Sequence, residues 1–489
     1  MAHFGIVGSV IGGIALAICM ACLGQKVVIF EANDYPGGKL SQIELGGYRF
    51  DAGPSLFTLP KLVDELFELA GKNPKDYFNY VRLPEICKYF WTDGTRLTTH
   101  ADAQETAAEM AKTLGEEEAN MAAFLKGLQE KYEIISELFL ENSLQDHKTW
   151  TSKKAIRGYL NIPNLGLFST MHAYHVRKFK HPKTVQLFDR YATYNGSNPY
   201  QTPATLSVIP NLEYNIGAYI PIGGMISITH SLCRLAQELG VEFRMNEKVE
   251  EIVTEGQRAV GIKTAKGIFA FDHVASNMDI RPSYKKLLPQ IQSPKKLLNQ
   301  ERSSSGIIFY WGMNREFAAL GVHNIFFSDH YQEEFQCIFQ EKTLLDDPTI
   351  YLNISSKVAP KDAPEGCENW FILINAPANE GQDWDDLVQK TRNNVIQKLS
   401  KCLGVDVGAH IVAEDILDPR SIESRTSSSG GALYGNASNN KFAAFLRHPN
   451  YRSAIKNLYW VGGSVHPGGG IPLCLSSAKI AAKQFQENN

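Results

Sequence analysis

The chain has 489 residues, 49 basic and 52 acidic side chains and a formal charge of −3, so it offers no cationic excess for binding a nucleic acid. Hydrophobic residues make up 44%, enough for a large core, and the length calls for more than one domain. The eight cysteines are scattered, which argues against a disulfide framework and for a reducing cytoplasm.

The first element is an apolar strand, Phe4 to Val7, running into Gly8-Ser9-Val10-Ile11-Gly12-Gly13 and a helix. A second strand, Lys26-Val-Val-Ile-Phe, ends in Glu31. This is the order of a dinucleotide-binding βαβ unit. Gly8 is the first glycine of the fingerprint and Gly13 the third, but Val10 stands at the second. There a side chain is expected to crowd the pyrophosphate, with Ser9 and Gly12 keeping the turn small. Glu31, followed by Ala32, is placed to accept hydrogen bonds from an adenosine ribose and to repel a 2′-phosphate, which disfavours NADP. The turn Gly37-Gly38-Lys39 brings backbone N–H groups and a cation close to the same ligand.

Residues 4 to 24 hold no charged side chain and could match a membrane span in length. Five glycines within them (Gly5, Gly8, Gly12, Gly13, Gly24) and the strand that follows favour the nucleotide unit. Cys19 and Cys22 fall inside the helix and read as core packing, since no second ligand pair matches their spacing. No metal site is expected.

Residues 41 to 60 read as a hairpin leading to a turn, 61 to 72 and 102 to 140 as helices, and Val81 to Thr98 as short strands around Asp93-Gly94. Asp146-His147-Lys148 reads as a solvated helix end, and 150 to 207 is aromatic and basic. Gly223-Gly224 opens a helix to about Leu239. Strands follow at Glu242–Phe243, Val249–Thr254 and Val260–Thr264, and Val274-Ala-Ser-Asn277 closes that block. Strands and helices mix from 281 to 435. Asn457 to Ser464 is a buried strand ending in glycines, then come His466-Pro-Gly-Gly-Gly-Ile-Pro472 and a helix from about Leu473. A second loop-to-helix start suits a polar cofactor group. A cofactor met at both ends of the chain is an extended one, and FAD fits better than NAD.

The N-terminal fingerprint, Arg49-Phe-Asp-Ala-Gly-Pro-Ser55, Asn195-Gly-Ser-Asn-Pro199, Pro221-Ile-Gly-Gly-Met225 and Tyr459 to Pro472 occur in this order. Together they resemble the bacterial carotenoid desaturases of the phytoene desaturase type, over almost the whole chain. Within that family the chain looks most like the enzymes that desaturate the 3,4 bond of a 1-hydroxylated carotenoid end. The resemblance implies an α/β fold: a Rossmann-like FAD domain of the p-hydroxybenzoate-hydroxylase/amine-oxidase type, with a discontinuous α+β substrate and membrane part. The expected division is 1–80, 208–280 and 436–489 for FAD, 81–207 for a helical, membrane-facing part and 281–435 for substrate. It also implies peripheral attachment to the inner face of the cell membrane and a quinone or oxygen as final electron acceptor.

Carried over residue by residue, Gly8, Ser9, Val10, Ile11, Gly12, Gly13, Glu31, Ala32, Gly37, Gly38 and Lys39 fall at the adenosine-diphosphate site. Val249 and Asn277 fall on the strands beside it. Gly53, Pro54 and Ser55 match a segment near the flavin ring, and Gly462, Gly463, Gly470, Ile471 and Pro472 the ribityl and ring end. The chemistry implied is hydride transfer from a carotenoid to FAD inside a long apolar tunnel, the second hydrogen leaving as a proton from an allylic cation. Such a cation is acidic enough that no base is named. His466 could stand near the ring, but a structural role in its Pro-Gly turn is the stronger reading.

Tyr159 to His181 mixes Leu160, Ile162, Leu165, Leu167, Phe168 and Phe179 with Arg177, Lys178 and Lys180. That mixture suits a membrane-surface entrance. A general phytoene desaturase, a carotenoid isomerase working with reduced FAD and a non-catalytic prenyl-binding escort remain open. An amine oxidase is disfavoured because no aromatic cage is evident.

Overall fold

The computed structural model describes residues 2–136, 140, 142–144, 149, 166, 169–443 and 446–488. A five-stranded parallel sheet organises one half of the molecule. Its strands lie in the order Leu458–Trp460, His273–Ser276, His3–Val7, Lys26–Phe30, Glu242–Arg244. Segments from both ends and the middle of the chain therefore meet in one sheet. The helix Ile11–Cys22 packs between the helices Ile226–Glu238 and Ile471–Asn488, and its residues from Ile11 to Met20 are all buried. This enclosure explains the uncharged stretch at the start of the sequence. A helix covered on all sides needs no polar face. Cys19 is one of its core residues. Among the described residues no helix is long and apolar enough to cross a membrane.

The second half is built on a seven-stranded sheet ordered Ile411–Leu417, Ser305–Met313, Glu368–Ala376, Ile350–Asn353, His323–Phe326, Glu85–Phe90, Arg96–His100. All its pairings are antiparallel except that of His323–Phe326 with Glu85–Phe90. Strand alternation gives the sheet two different faces. Ile307, Phe309, Trp311, Ile372 and Ile374 pack in one core with Trp384, Val395 and Leu399 of the helix Trp384–Leu403. Their neighbours Ile308, Phe371 and Leu373 line a cavity.

Two local expectations change in detail. The stretch 102 to 140 contains two helices, Ala103–Leu114 and Glu118–Ile135. Gly115, at φ +69°, ends the first in the left-handed conformation that glycine adopts without steric penalty. The strands Glu85–Phe90 and Arg96–His100, read from sequence only as short strands around Asp93-Gly94, extend the edge of the distant seven-stranded sheet. Asp146, His147, Lys148, Leu160, Ile162, Leu165, Leu167 and Phe168 lie outside the described residues. Of the basic-aromatic segment, Arg177, Lys178 and Lys180 are exposed, but Phe179 is buried. It stacks on Phe188 at 4.7 Å and meets Phe124 edge-on. Phe179 thus belongs to the interior and is unavailable to a membrane surface.

The two-faced sheet makes a stability prediction. Ile372→Ala opens a void against the helix and should cost about 2–5 kcal/mol in denaturant unfolding. Leu373→Ala, which only widens an existing cavity, should cost less than half as much.

Candidate active site

The glycine turn joins the first strand to the buried helix. Ser9 N–H and Oγ–H both donate to Glu31 Oε2, at 2.8 and 2.7 Å. Asn33 N–H donates to Glu31 Oε1 at 3.0 Å. A carboxylate has about four acceptor positions, so the three occupied here orient Glu31 and leave capacity for a ribose hydroxyl. Asn277 clamps the turn from below. Its Oδ1 accepts from Gly13 N–H at 3.0 Å and its Nδ2 donates to Val461 O at 3.0 Å. The turn and the C-terminal glycine loop come so close that a Cβ on Gly12 would stand 3.2 Å from Gly462 Cα. Val10 at the N-cap gives the helix Ile11–Cys22 no side-chain capping bond, Asn277 takes up only Gly13 N–H, and no acid lies in the helix's first turn. Its positive end is therefore free to receive an anion.

Val10 does not obstruct this end in the manner its position in the fingerprint suggests. Its backbone is extended and bridges to Gly37, whose N–H donates to Ser9 O at 2.9 Å. Its side chain is directed at Gly38, where an added Cβ would lie 2.8 Å from Val10 Cγ2. Gly38, at φ +57°, vacates the space that Val10 fills. The missing glycine at position 10 is thus matched by a glycine at 38.

A cavity of about 1030 Å³ opens beyond this turn. Of the expected ligand residues it is lined by Gly38, Lys39, Gly53, Pro54, Ser55, Gly470, Ile471 and Pro472. Gly8 to Gly13, Glu31, Ala32, Gly37, Val249, Asn277, Gly462 and Gly463 stand outside its walls. Lys39 is half-buried there, and its Nζ donates to Ala432 O and Leu433 O at 2.9 and 3.1 Å. Burial pushes this ammonium down to about 8, against the pull of Asp279, while Arg302 pushes the same way as burial. Asp279 is itself paired with Arg302.

Deeper along the same cavity lie polar groups that the sequence did not single out. Arg190 and Tyr194 line the wall. The Arg190 guanidinium donates through Nη2 to Tyr89 Oη at 2.6 Å, to Tyr191 Oη at 3.0 Å and to Glu213 Oε2 at 3.0 Å. Tyr191 and Tyr194 each donate their phenol proton to Glu213. Ser55 Oγ and Tyr351 Oη, both on the cavity wall, are 2.8 Å apart. Tyr351 Oη is also 2.8 Å from His323 Nδ1, and burial forces this imidazole down to about 3, so it is neutral. The Arg190 run, Arg-Tyr-Ala-Thr-Tyr, gives only one sequence signal, a charge amid aromatics. Its partner Glu213 is found only in three dimensions.

His466 is buried, its ring Nε2 lies 2.9 Å from Asn142 O, and burial holds it down at about 4. It is absent from the cavity wall.

Residues 11–485 match the family described as flavin containing amine oxidoreductase. The chain belongs to this family of flavoenzymes. It is 51% identical over 484 residues to a 1-hydroxycarotenoid 3,4-desaturase of Flavobacterium sp. (strain P99-3), covering 99% of each chain. It is 33% identical to a 4,4'-diapolycopene oxygenase of Methylomonas sp, covering 97% of this chain and 96% of the other. The fold is shared with putrescine oxidase, solved with putrescine bound, at a TM-score of 0.63 and 12% identity, covering 99% of each chain. The chain is thus an FAD-dependent oxidoreductase of α/β architecture.

The geometry fits FAD. The diphosphate would meet the uncapped helix end at Ile11 and Gly12, Glu31 the ribose, and Gly53 to Ser55 with Gly470 to Pro472 the ring in the cavity. The packing of Val10 on Gly38 predicts that Gly38→Ala lowers FAD content sharply. Adding Val10→Gly should restore much of it, a non-additivity of about 1–3 kcal/mol in FAD affinity measured by titration. Lys39 predicts a pH dependence. An anionic cofactor favours the charged amine, whose pKa without the cofactor is about 8. Affinity should therefore be flat below pH 8 and fall as the pH rises above it, because binding then requires proton uptake. Lys39→Met should flatten the profile, read by flavin fluorescence titration.

Proposed function

We propose that the chain is a carotenoid desaturase that forms the 3,4 double bond of a 1-hydroxylated carotenoid end. The observation that carries this reading is one cavity with largely aliphatic and aromatic walls that runs directly onto the segments fit to hold the flavin ring. Polar substrates gain little from walls such as Leu206, Val208, Ile209, Leu212 and Phe371, whereas a polyene gains by leaving water along its whole length. Full-length similarity to a relative named for this reaction selects among carotenoid transformations.

Bound FAD supplies the hydride acceptor. The protein's own part is placement and exclusion of water. The two segments Gly53–Ser55 and Gly470–Pro472 set the face on which the C–H bond must lie. The apolar walls align the polyene, and the neutral His323 adds no competing charge. The second hydrogen leaves as a proton, and with an allylic cation as its donor a weak acceptor is sufficient.

Attachment to the inner face of the cell membrane belongs to the same reading, since the substrate is insoluble in water. A quinone or oxygen then takes the electrons.

The test is anaerobic mixing of the FAD-loaded protein in liposomes with 1'-hydroxy-γ-carotene and, separately, phytoene. Flavin bleaching together with a product two hydrogens lighter is expected from the hydroxylated substrate alone. Equal reaction of phytoene would make the chain a general phytoene desaturase. An isomer of unchanged mass would make it an isomerase, and binding with neither change would make it an escort.

A further inference from the structure

A buried cation in the wall of an apolar cavity is the least expected feature of this molecule. Arg190 is 6% exposed and cannot shed its charge. Its Nε and Nη2 hydrogens are taken up by Tyr89, Tyr191 and Glu213. Its Nη1, with two further N–H donors, meets no acceptor among the described residues, although Arg190 lines the cavity. Beside it Tyr194, also on the cavity wall, has committed its own proton to Glu213, so its oxygen offers lone pairs only. Glu213 lies in a π-helical turn, Leu212–Ile216, a distortion often found at functional positions. A free N–H donor beside a free acceptor is the complement of a hydroxyl group.

Placement agrees with this complement. In a 1-hydroxylated end only C2 separates the oxygen-bearing C1 from C3, which puts the oxygen about 3–4 Å from the bond to be oxidised. The group that reads it must adjoin the ring-facing segment. Ser55, on that segment, is joined to Tyr351 at 2.8 Å, and the charge of Arg190 acts on both Tyr351 and His323. Ser55, Tyr351, Arg190 and Tyr194 all stand on the wall of the same cavity.

We infer that Arg190 Nη1 and Tyr194 Oη bind the tertiary hydroxyl of the substrate, Arg190 donating to its oxygen and Tyr194 accepting its proton, and that this pair sets the preference for hydroxylated over hydrocarbon carotenoids. Tyr89, Tyr191 and Glu213 act as positioning residues that fix the guanidinium. The inference rests on the desaturase reading for the identity of the ligand, but it concerns binding and is testable without turnover.

The experiment compares dissociation constants of the FAD-loaded protein for two probes, 1'-hydroxy-γ-carotene and γ-carotene, from the shift of the polyene absorption in liposomes. Wild type should prefer the hydroxylated probe by about 10- to 100-fold, the worth of a hydrogen bond to a charged group. Arg190→Lys keeps a cation for Glu213 but withdraws Nη1, and Tyr194→Phe keeps the ring. Each should bring the ratio of the two constants toward one while FAD content and melting temperature hold. A ratio that survives both variants, or is absent in wild type, overturns the inference. Since Tyr194→Phe removes only one oxygen, it decides the matter if Arg190→Lys fails to fold. Preference without turnover would keep the oxygen site and remove the desaturase reading. Turnover without preference would do the reverse.

Discussion

The molecule depends on the Asn277 side chain, which holds the first glycine turn to the last strand. Its amide is a donor and an acceptor at once, and here each end is spent on backbone, Gly13 N–H on one side and Val461 O on the other. The amide thereby joins two loops that approach as closely as Gly12 and Gly462 do. Without the clamp, the two helix starts expected at opposite ends of an extended cofactor would have no fixed separation. Their relation sets how Gly470–Pro472 and Gly53–Ser55 stand on the cavity wall that they share.

From that fixed frame the rest follows by layering. The parallel sheet has helices on one face and the antiparallel strands Val249–Glu255 and Arg258–Thr264 on the other, and its inner strands are largely apolar, as sheets buried on both faces are. The antiparallel sheet uses alternation differently. One face is committed to tryptophan-rich packing against a helix, and the other is shared between a second core, with Tyr48, Phe50 and Tyr310, and the cavity. Where this sheet forms the cavity wall, Ile308, Phe371 and Leu373 are flanked along their strands by residues of a close-packed core.

The sequence was informative where structure is local. The glycine turn, the acid closing the second strand, the 41–60 hairpin and the C-terminal loop-to-helix start are short-range patterns with steric causes, and they were readable as such. Val10 was readable as a departure, but its accommodation was not, because Gly38 lies in a different loop and the two meet only in space. The strands Glu85–Phe90 and Arg96–His100 were readable only as short strands, since nothing in them announces a partner at His323–Phe326. The long helix divided at Gly115 because a single glycine is compatible with either a helix interior or its end. Arg190 and Glu213 were invisible as a pair for the same reason as Val10 and Gly38. Charge complementarity across 23 residues has no periodic signature.

The polar end of the cavity has a consequence for how such enzymes diverge. Tyr89, Arg190, Tyr191, Tyr194 and Glu213 all fall between the segments that build the parallel sheet, and none of them belongs to a strand of it. Redox machinery and recognition of the substrate end thus occupy separate stretches of chain, and selection can rewrite one while conserving the other. The separation has one tether. Tyr89 sits on a strand hydrogen-bonded to His323–Phe326. A graft that moves recognition between relatives must therefore carry the sheet edge with it, or the transplanted arginine will lose one of the phenols that aim it.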